Sequence, residues 1–305
     1  LASVPRLLLV TGKGGVGKTT VATSLAIALA QSGKRVLLCD VEQSGAAATA
    51  LSSSPWRFAP RQVAGPWASL GGQLWGMSLD TVESLDEYAR IHLRVPGLAR
   101  IPQINRIFDF VATAAPGVRE LLTIGKLAYD VKVDAFDVVV ADGPASGHGL
   151  GQLQAVRAVH GLAAGGPIFN QTKWMIDILT DPAKTQAVIV TTPEELAVAE
   201  SMELMASLQN EADVRVGVVI ANRVFPPRMT TGSTQPAPSG TDDLALCQAL
   251  RDTQLDYLRQ LIDAVQSASP TTTYLSLPEL FVDKLTTTDL GHIATELTNE
   301  LDWHS

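Results

Sequence analysis

Short, almost wholly apolar runs recur along this chain and alternate with longer stretches in which apolar residues return every three or four positions. Residues 7–10, 36–40, 137–142, 186–191 and 216–222 are rich in Val, Leu and Ile and too short for helices, so they predict buried strands. Continuous apolarity, rather than alternation, is what a strand covered by helices on both faces requires. Residues 73–79 and 272–277 carry a weaker form of the same signal. Helical spacing predicts helices at 18–32, 194–209, 244–267 and 289–301. Strand and helix alternating in this way build βαβ units, and the expected fold class is α/β, a doubly wound and mostly parallel sheet.

Two stretches interrupt the alternation. Residues 80–132 read as a helical insertion broken at Pro96, Pro102 and Pro116, and 150–185 as a second, split by Gly165-Gly166-Pro167. Residues 226–243 are rich in Pro, Gly, Ser and Thr and offer little to bury, which predicts a mobile surface loop. The opening stretch LASVPRLLLVTG has too short an apolar core for a signal peptide and reads as a strand. With no internal duplication, residues 1–305 are expected to form a single domain with one nucleotide site.

Composition narrows the function classes. The chain has 23 Lys and Arg against 31 Asp and Glu, a formal net charge of −8, which argues against a nucleic-acid partner or an anionic membrane surface. Cys39 and Cys247 are its 2 cysteines, too few for a disulfide scaffold or a four-cysteine metal site. No apolar run reaches the roughly 18–20 residues that span a bilayer. A cytoplasmic protein is the expectation.

The most specific signal is Gly12-Lys13-Gly14-Gly15-Val16-Gly17-Lys18-Thr19-Thr20, which follows a predicted strand and opens a predicted helix. It satisfies the G-x-x-x-x-G-K-[ST] pattern in the context that gives the pattern meaning. Glycines let the backbone curl so that successive N–H groups point at phosphate oxygens, and the helix start adds its positive dipole end. In such a P-loop NTPase topology Lys18 reaches the β- and γ-phosphates of ATP and the Thr19 hydroxyl ligates Mg²⁺. Ligands of open α/β sheets lie beyond the carboxyl ends of the strands. Asp40 and Glu42 fall at one such end and Asp142 at another. Asp142 is the expected metal carboxylate, acting through a water, although an Asp ending a strand also serves as a turn cap.

The second lysine of the loop, Lys13, makes K-G-G-V-G-K-T-T resemble the deviant Walker A motif of the family containing ArsA, ParA, MinD and nitrogenase iron protein. The resemblance implies that Lys13 reaches across a dimer interface to the partner's nucleotide; the alternative is a solvated loop lysine. It also implies a water-activating carboxylate at the position of Glu42, where the family usually has Asp, with Asp40 as the other candidate. Asp142-Gly143-Pro144-Ala145-Ser146-Gly147-His148-Gly149-Leu150 resembles the D-T-A-P-T-G-H-T-L switch II signature of the ArsA group, which includes the tail-anchored-protein targeting ATPases. The Thr-Ala-Pro positions read Gly143, Pro144 and Ala145 here. A switch of this kind is expected as a Gly-rich loop that moves when the γ-phosphate leaves, with His148 either relaying that state or lying in an ordinary turn.

Pro116-Gly117-Val118-Arg119-Glu120 resembles the P-G-x-x-E segment of the same group, and by the same resemblance Asn222 reads adenine while Pro278 lies in the adenine-packing segment. The overall look is similar to the short ArsA-like ATPases of actinobacteria. The cysteine trio that binds arsenite and the CxxC pair of eukaryotic targeting members are both absent. The implied function is an Mg-ATP-dependent dimeric switch acting on a membrane-protein client or membrane component, as a homodimer or a heterodimer with a related ATPase. The other readings are a ParA- or MinD-like positioning ATPase and a weakly hydrolysing scaffold for a sister ATPase. Trp174, Met175, Ile176, Ile178 and Leu179 form either a client surface or a buried helical face.

Overall fold

The computed structural model describes residues 4–93, 117–163, 165–225 and 241–301. Its strands are β1 (Leu7–Gly12), β2 (Arg35–Asp40), β3 (Arg61–Val63), β4 (Gln73–Ser78), β5 (Val138–Ala145), β6 (Thr185–Thr191), β7 (Val216–Val224) and β8 (Thr273–Pro278). Its helices are α1 (Lys18–Gln31), α2 (Ala46–Ala50), α3 (Thr81–Tyr88), α4 (Val118–Lys132), α5 (Ser146–Leu162), α6 (Gly166–Leu179), α7 (Glu195–Asn210), α8 (Thr241–Ala268) and α9 (Thr287–Glu300). The strands form one sheet in the order β3-β4-β2-β5-β1-β6-β7-β8, parallel except for β3, which runs antiparallel to β4. This is the doubly wound α/β architecture that the alternation of the sequence predicts, with every expected strand present.

Side chains of each buried strand divide between two cores. Val138 and Val140 point into one, Val139 and Ala141 into the other. The first core is closed by α1 and α9. Every residue from Val21 to Ala30 is buried, because a helix lying between a sheet and another helix has no solvent face to leave polar. Leu290, Ile293, Ala294 and Leu297 of α9 supply the facing stripe, and the Thr286 hydroxyl and Asp289 carboxylate cap that helix reciprocally. The second core lies under α4, α5, α6, α7 and α8.

Several expectations need adjustment. β3 was not anticipated, since Arg61-Gln62-Val63 buries one side chain and has no run to betray it. The expected loop at 226–243 ends sooner, because Thr241, Asp242 and Asp243 begin α8; residues 226–240 lie outside the described residues. The first helical insertion is described as α3, a π-turn at Ala89–Leu93 and α4, with 94–116 outside. In α6, Met175, Ile178 and Leu179 are buried, while Trp174 and Ile176 pack against the same core, so the set is chiefly a buried helical face. Cys39 is a core residue of β2; Cys247 falls in α8, at a position whose side chain is outside the description.

One backbone contact locks the first core. Gly72, just before β4, approaches the end of α1 so closely that a Cβ there would lie 1.6 Å from the Ala30 carbonyl oxygen. Backbone cannot yield as a side-chain tip can. Gly72→Ala is expected to lower the unfolding free energy by roughly 2–4 kcal/mol in urea titrations. Unchanged stability would show that α1 and β4 are not in this contact.

Candidate functional site

β1 delivers Gly12 to the carboxyl edge of the sheet between β5 and β6, and residues 13–17 turn there into α1. Gly17 adopts φ 93°, the left-handed conformation that a side chain disfavours, and a Cβ on it would lie 2.4 Å from Asn222 Nδ2. Asn222, near the end of β7, donates through that Nδ2 to the Val16 carbonyl at 2.8 Å. The amide thus fastens the loop and leaves its own oxygen as an acceptor.

Lys18 Nζ donates to the Lys13 carbonyl at 3.2 Å, which draws the ammonium back over the loop. Thr19 Oγ1 donates to Asp142 Oδ2 at 2.7 Å, and Thr20 follows in the first turn of α1. A cavity of about 270 Å³ opens here, lined by Gly15, Gly17, Lys18, Thr19, Asp40, Glu42, Asp142 and Gly143 among others. Gly12, Gly14 and Val16 complete the loop, Val16 with its side chain buried in the first core.

The register of β2 on β5 sets Asp40 directly opposite Asp142, and both are buried. Asp40 accepts from the backbone N–H of Ser44 at 3.1 Å and of Gly45 at 2.7 Å, so its carboxylate closes the loop into α2. Burial pushes the Asp142 carboxyl up to about 6; the Thr19 hydrogen bond opposes the rise and the Asp40 charge adds to it. Glu42 is exposed at the cavity wall. Of the two carboxylates considered for activating water, Asp40 is engaged by backbone amides and Glu42 faces solvent.

The residues after Asp142 do not form the expected Gly-rich loop. Gly143, Pro144 and Ala145 continue β5, and Ser146, Gly147 and His148 start α5. β2 stops pairing at Asp142, so β5 has a free edge beyond it and Pro144 interrupts no ladder on that side. His148 is exposed in the first turn of α5. Glu120 accepts from the Gly117 N–H at 3.1 Å, which gives the P-G-x-x-E segment a local purpose as the start of α4; Pro116 lies outside the described residues. Pro278 ends β8 opposite Val224, beside the strand that carries Asn222.

Lys13 is absent from the cavity lining, and its Nζ stands 2.7 Å from Glu200 Oε1 on α7. Sequence reasoning missed Glu200. The available signal was indirect: α7 follows the carboxyl end of β6, the neighbour of β1, so its first turns belong to the same edge as the loop.

The chain matches the family described as anion-transporting ATPase over residues 5–165 and 166–270. The ATPase BagA of Mycobacterium tuberculosis (strain ATCC 25618 / H37Rv) is 32% identical over 244 residues, covering 78% of this chain and 71% of that protein. An ATPase ASNA1 homolog of Cryptosporidium parvum is 26% identical over 260 residues, with coverage of 75% and 68%. ATPase ARSA2 of Chlamydomonas reinhardtii is 26% identical over 262 residues, with coverage of 72% and 68%.

A buried carboxyl that holds its proton more tightly in the fold than in the unfolded chain loses stability as pH rises from about 4 to about 6. Two pKa units correspond to roughly 3 kcal/mol. Without nucleotide or metal, Asp142→Asn is therefore expected to raise the melting temperature at neutral pH, with the gain fading near pH ~4. A variant that melts below the parent at neutral pH would contradict this reading of the site.

Proposed function

The chain belongs to the anion-transporting ATPase family and is an ATPase, and from that premise we propose that it works as a switch in which two chains close on two Mg·ATP and reopen after hydrolysis. The observation that supports pairing is the separation of the two loop lysines. Lys18 lines the phosphate cavity of its own chain, whereas Lys13 leaves that cavity for the surface beside α7. An ammonium so placed serves the nucleotide of a facing chain better than its own.

The residues act as follows. Backbone N–H groups of Gly14 to Lys18 cradle the phosphates, and Lys18 moves from the Lys13 carbonyl onto the β- and γ-phosphates. Thr19 and Asp142 fit a hard cation, being oxygen donors 2.7 Å apart of which one is a buried carboxyl that a nearby positive charge would help to ionise. They would hold Mg²⁺, which supplies charge neutralisation at the phosphates when bound. Glu42 orients the attacking water. Lys13 of the facing chain neutralises charge developing on the transferred phosphoryl group, as an arginine finger does. The side-chain oxygen of Asn222 accepts from the exocyclic amine of adenine, with Pro278 against the base. Guanine presents a carbonyl at that position and is disfavoured.

Release of phosphate is read by the Gly143–His148 segment where β5 becomes α5, and passes to the helical layer above the second core. There α3, α4 and α6 enclose an apolar cavity of about 300 Å³ lined by Leu85, Tyr88, Leu121, Leu122, Trp174 and Met175 among others. This layer is the surface assigned to a membrane-protein client or membrane component, and the nucleotide state would set its shape. The pairing partner is a second copy or a related ATPase.

Turnover and nucleotide affinity of the purified chain test the reading together. Lys18→Ala is expected to lose both. Lys13→Ala is expected to keep ATP affinity and to lose turnover by about 10³-fold or more. Glu42→Gln is expected to slow hydrolysis and leave ATP-loaded pairs that persist in light scattering. Lys13→Ala at the parent rate would remove the paired-chain mechanism.

A further inference from the structure

The geometry that holds Lys13 has a consequence for when the ATPase fires. α7 packs on the sheet through Ala197, Val198, Ser201, Leu204, Met205 and Leu208, all buried, which fixes its position beside the loop. Glu200 lies at the boundary of that face, its side chain 40% exposed, and the Lys13 side chain that meets it is 29% exposed. Before nucleotide binds, the Lys13 backbone is tied down as well, since its carbonyl accepts from Lys18. Both ends of the ion pair are thus anchored, yet the pair itself is open to solvent and can be broken without disturbing the core.

We propose that Glu200 is a positioning residue for Lys13: it stores the ammonium on its own chain, and the pair must open before Lys13 reaches the nucleotide of a second copy. This inference rests on the paired-chain reading and adds a threshold to it. While each chain satisfies its own Lys13, closing two chains requires that two such pairs be exchanged for contacts with phosphate. Partly exposed ion pairs are weak, each contributing a factor of about 1.4 to 5 in an equilibrium constant, so two together shift the pairing equilibrium by roughly 2- to 30-fold. Salt weakens the stored pair. The stored state therefore keeps dilute chains apart, and crowding on a client or membrane would overcome it by concentration alone.

Turnover per chain as a function of protein concentration tests this. Glu200→Gln is expected to move the half-maximal concentration about 2- to 30-fold lower at low salt, with maximal turnover retained. Glu200→Asp, which keeps the charge, should stay nearer the parent, and the gap between Glu200→Gln and the parent should narrow at high salt. Glu203→Gln, which removes a charge from the exposed face of the same helix, should behave as the parent. An unshifted Glu200→Gln, an equal shift in Glu203→Gln or a fall in maximal turnover would overturn the role of Glu200. The two levels separate through Lys13→Ala. If that variant turns over at the parent rate, the paired-chain reading itself falls; if it is inactive while Glu200→Gln is unshifted, the storage role alone falls.

Discussion

Two carboxylates stand side by side in the middle of a parallel sheet, and the surroundings of each answer that fact differently. Asp40 and Asp142 face one another across β2 and β5, and both are buried. Asp40 accepts backbone N–H groups from Ser44 and Gly45 and so serves as the anchor of a loop. Burial pushes the Asp142 carboxyl toward the neutral form, the Thr19 hydroxyl opposes that, and the Asp40 charge adds to it. A site with that imbalance favours a cation, and its donors are hard oxygens. The phosphate loop lies directly above it.

The positive charges of the loop are handled by equally local means. Lys18 leans on the Lys13 carbonyl and Lys13 on Glu200, so each ammonium has an acceptor within its own chain. These contacts are weak enough to be exchanged for phosphate. Rigid strands and a buried α1 hold the frame, while the two ammonium groups sit on its edge. The helical layer touches this frame from the other side. Leu127, Ala128 and Val131 of α4 share the second core with Leu37 and Cys39 of β2, and burial there pushes the Cys39 thiol up. Asp130 of α4 pairs with Lys126 at 2.9 Å, and Lys126 with Glu87 of α3 at 2.8 Å, at the wall of the apolar cavity. Burial works against the Lys126 ammonium, but its two carboxylates outweigh it and hold its pKa above the ordinary lysine value. Packed contacts thus run from the nucleotide edge to the helical layer.

Much of this was readable from residue order, and the reasons are physical. The apolar start of β5, Val138 to Ala141, announces itself because both faces of a buried strand must be apolar, and the loop from Gly12 to Thr20 because phosphate binding needs glycine, lysine and a hydroxyl at fixed spacing. What escaped depends on three-dimensional placement. β3 is an edge strand with a single buried residue. Gly143-Pro144 reads as a loop in one dimension and becomes strand only because β2 ends beside it. Asp40 reads in one dimension as a candidate base, whereas its partners Ser44 and Gly45 are sequence neighbours whose amides only the folded loop brings to it. Glu200 is far from Lys13 in the chain, and no periodicity or motif links them.

Trans action of Lys13 admits a direct test by mixing two inactive variants. Lys13→Ala keeps an intact nucleotide site but lends no lysine, whereas Asp142→Asn lends its lysine but has a disabled site. In a mixed pair the first chain's site receives the second chain's Lys13, so one of the two sites is whole. Equal mixtures should recover about a quarter of parent turnover, because half of randomly formed symmetric pairs are mixed and each carries one working site. A mixture as inactive as its separate components, under conditions where the two variants are shown to pair, would contradict catalysis across the interface.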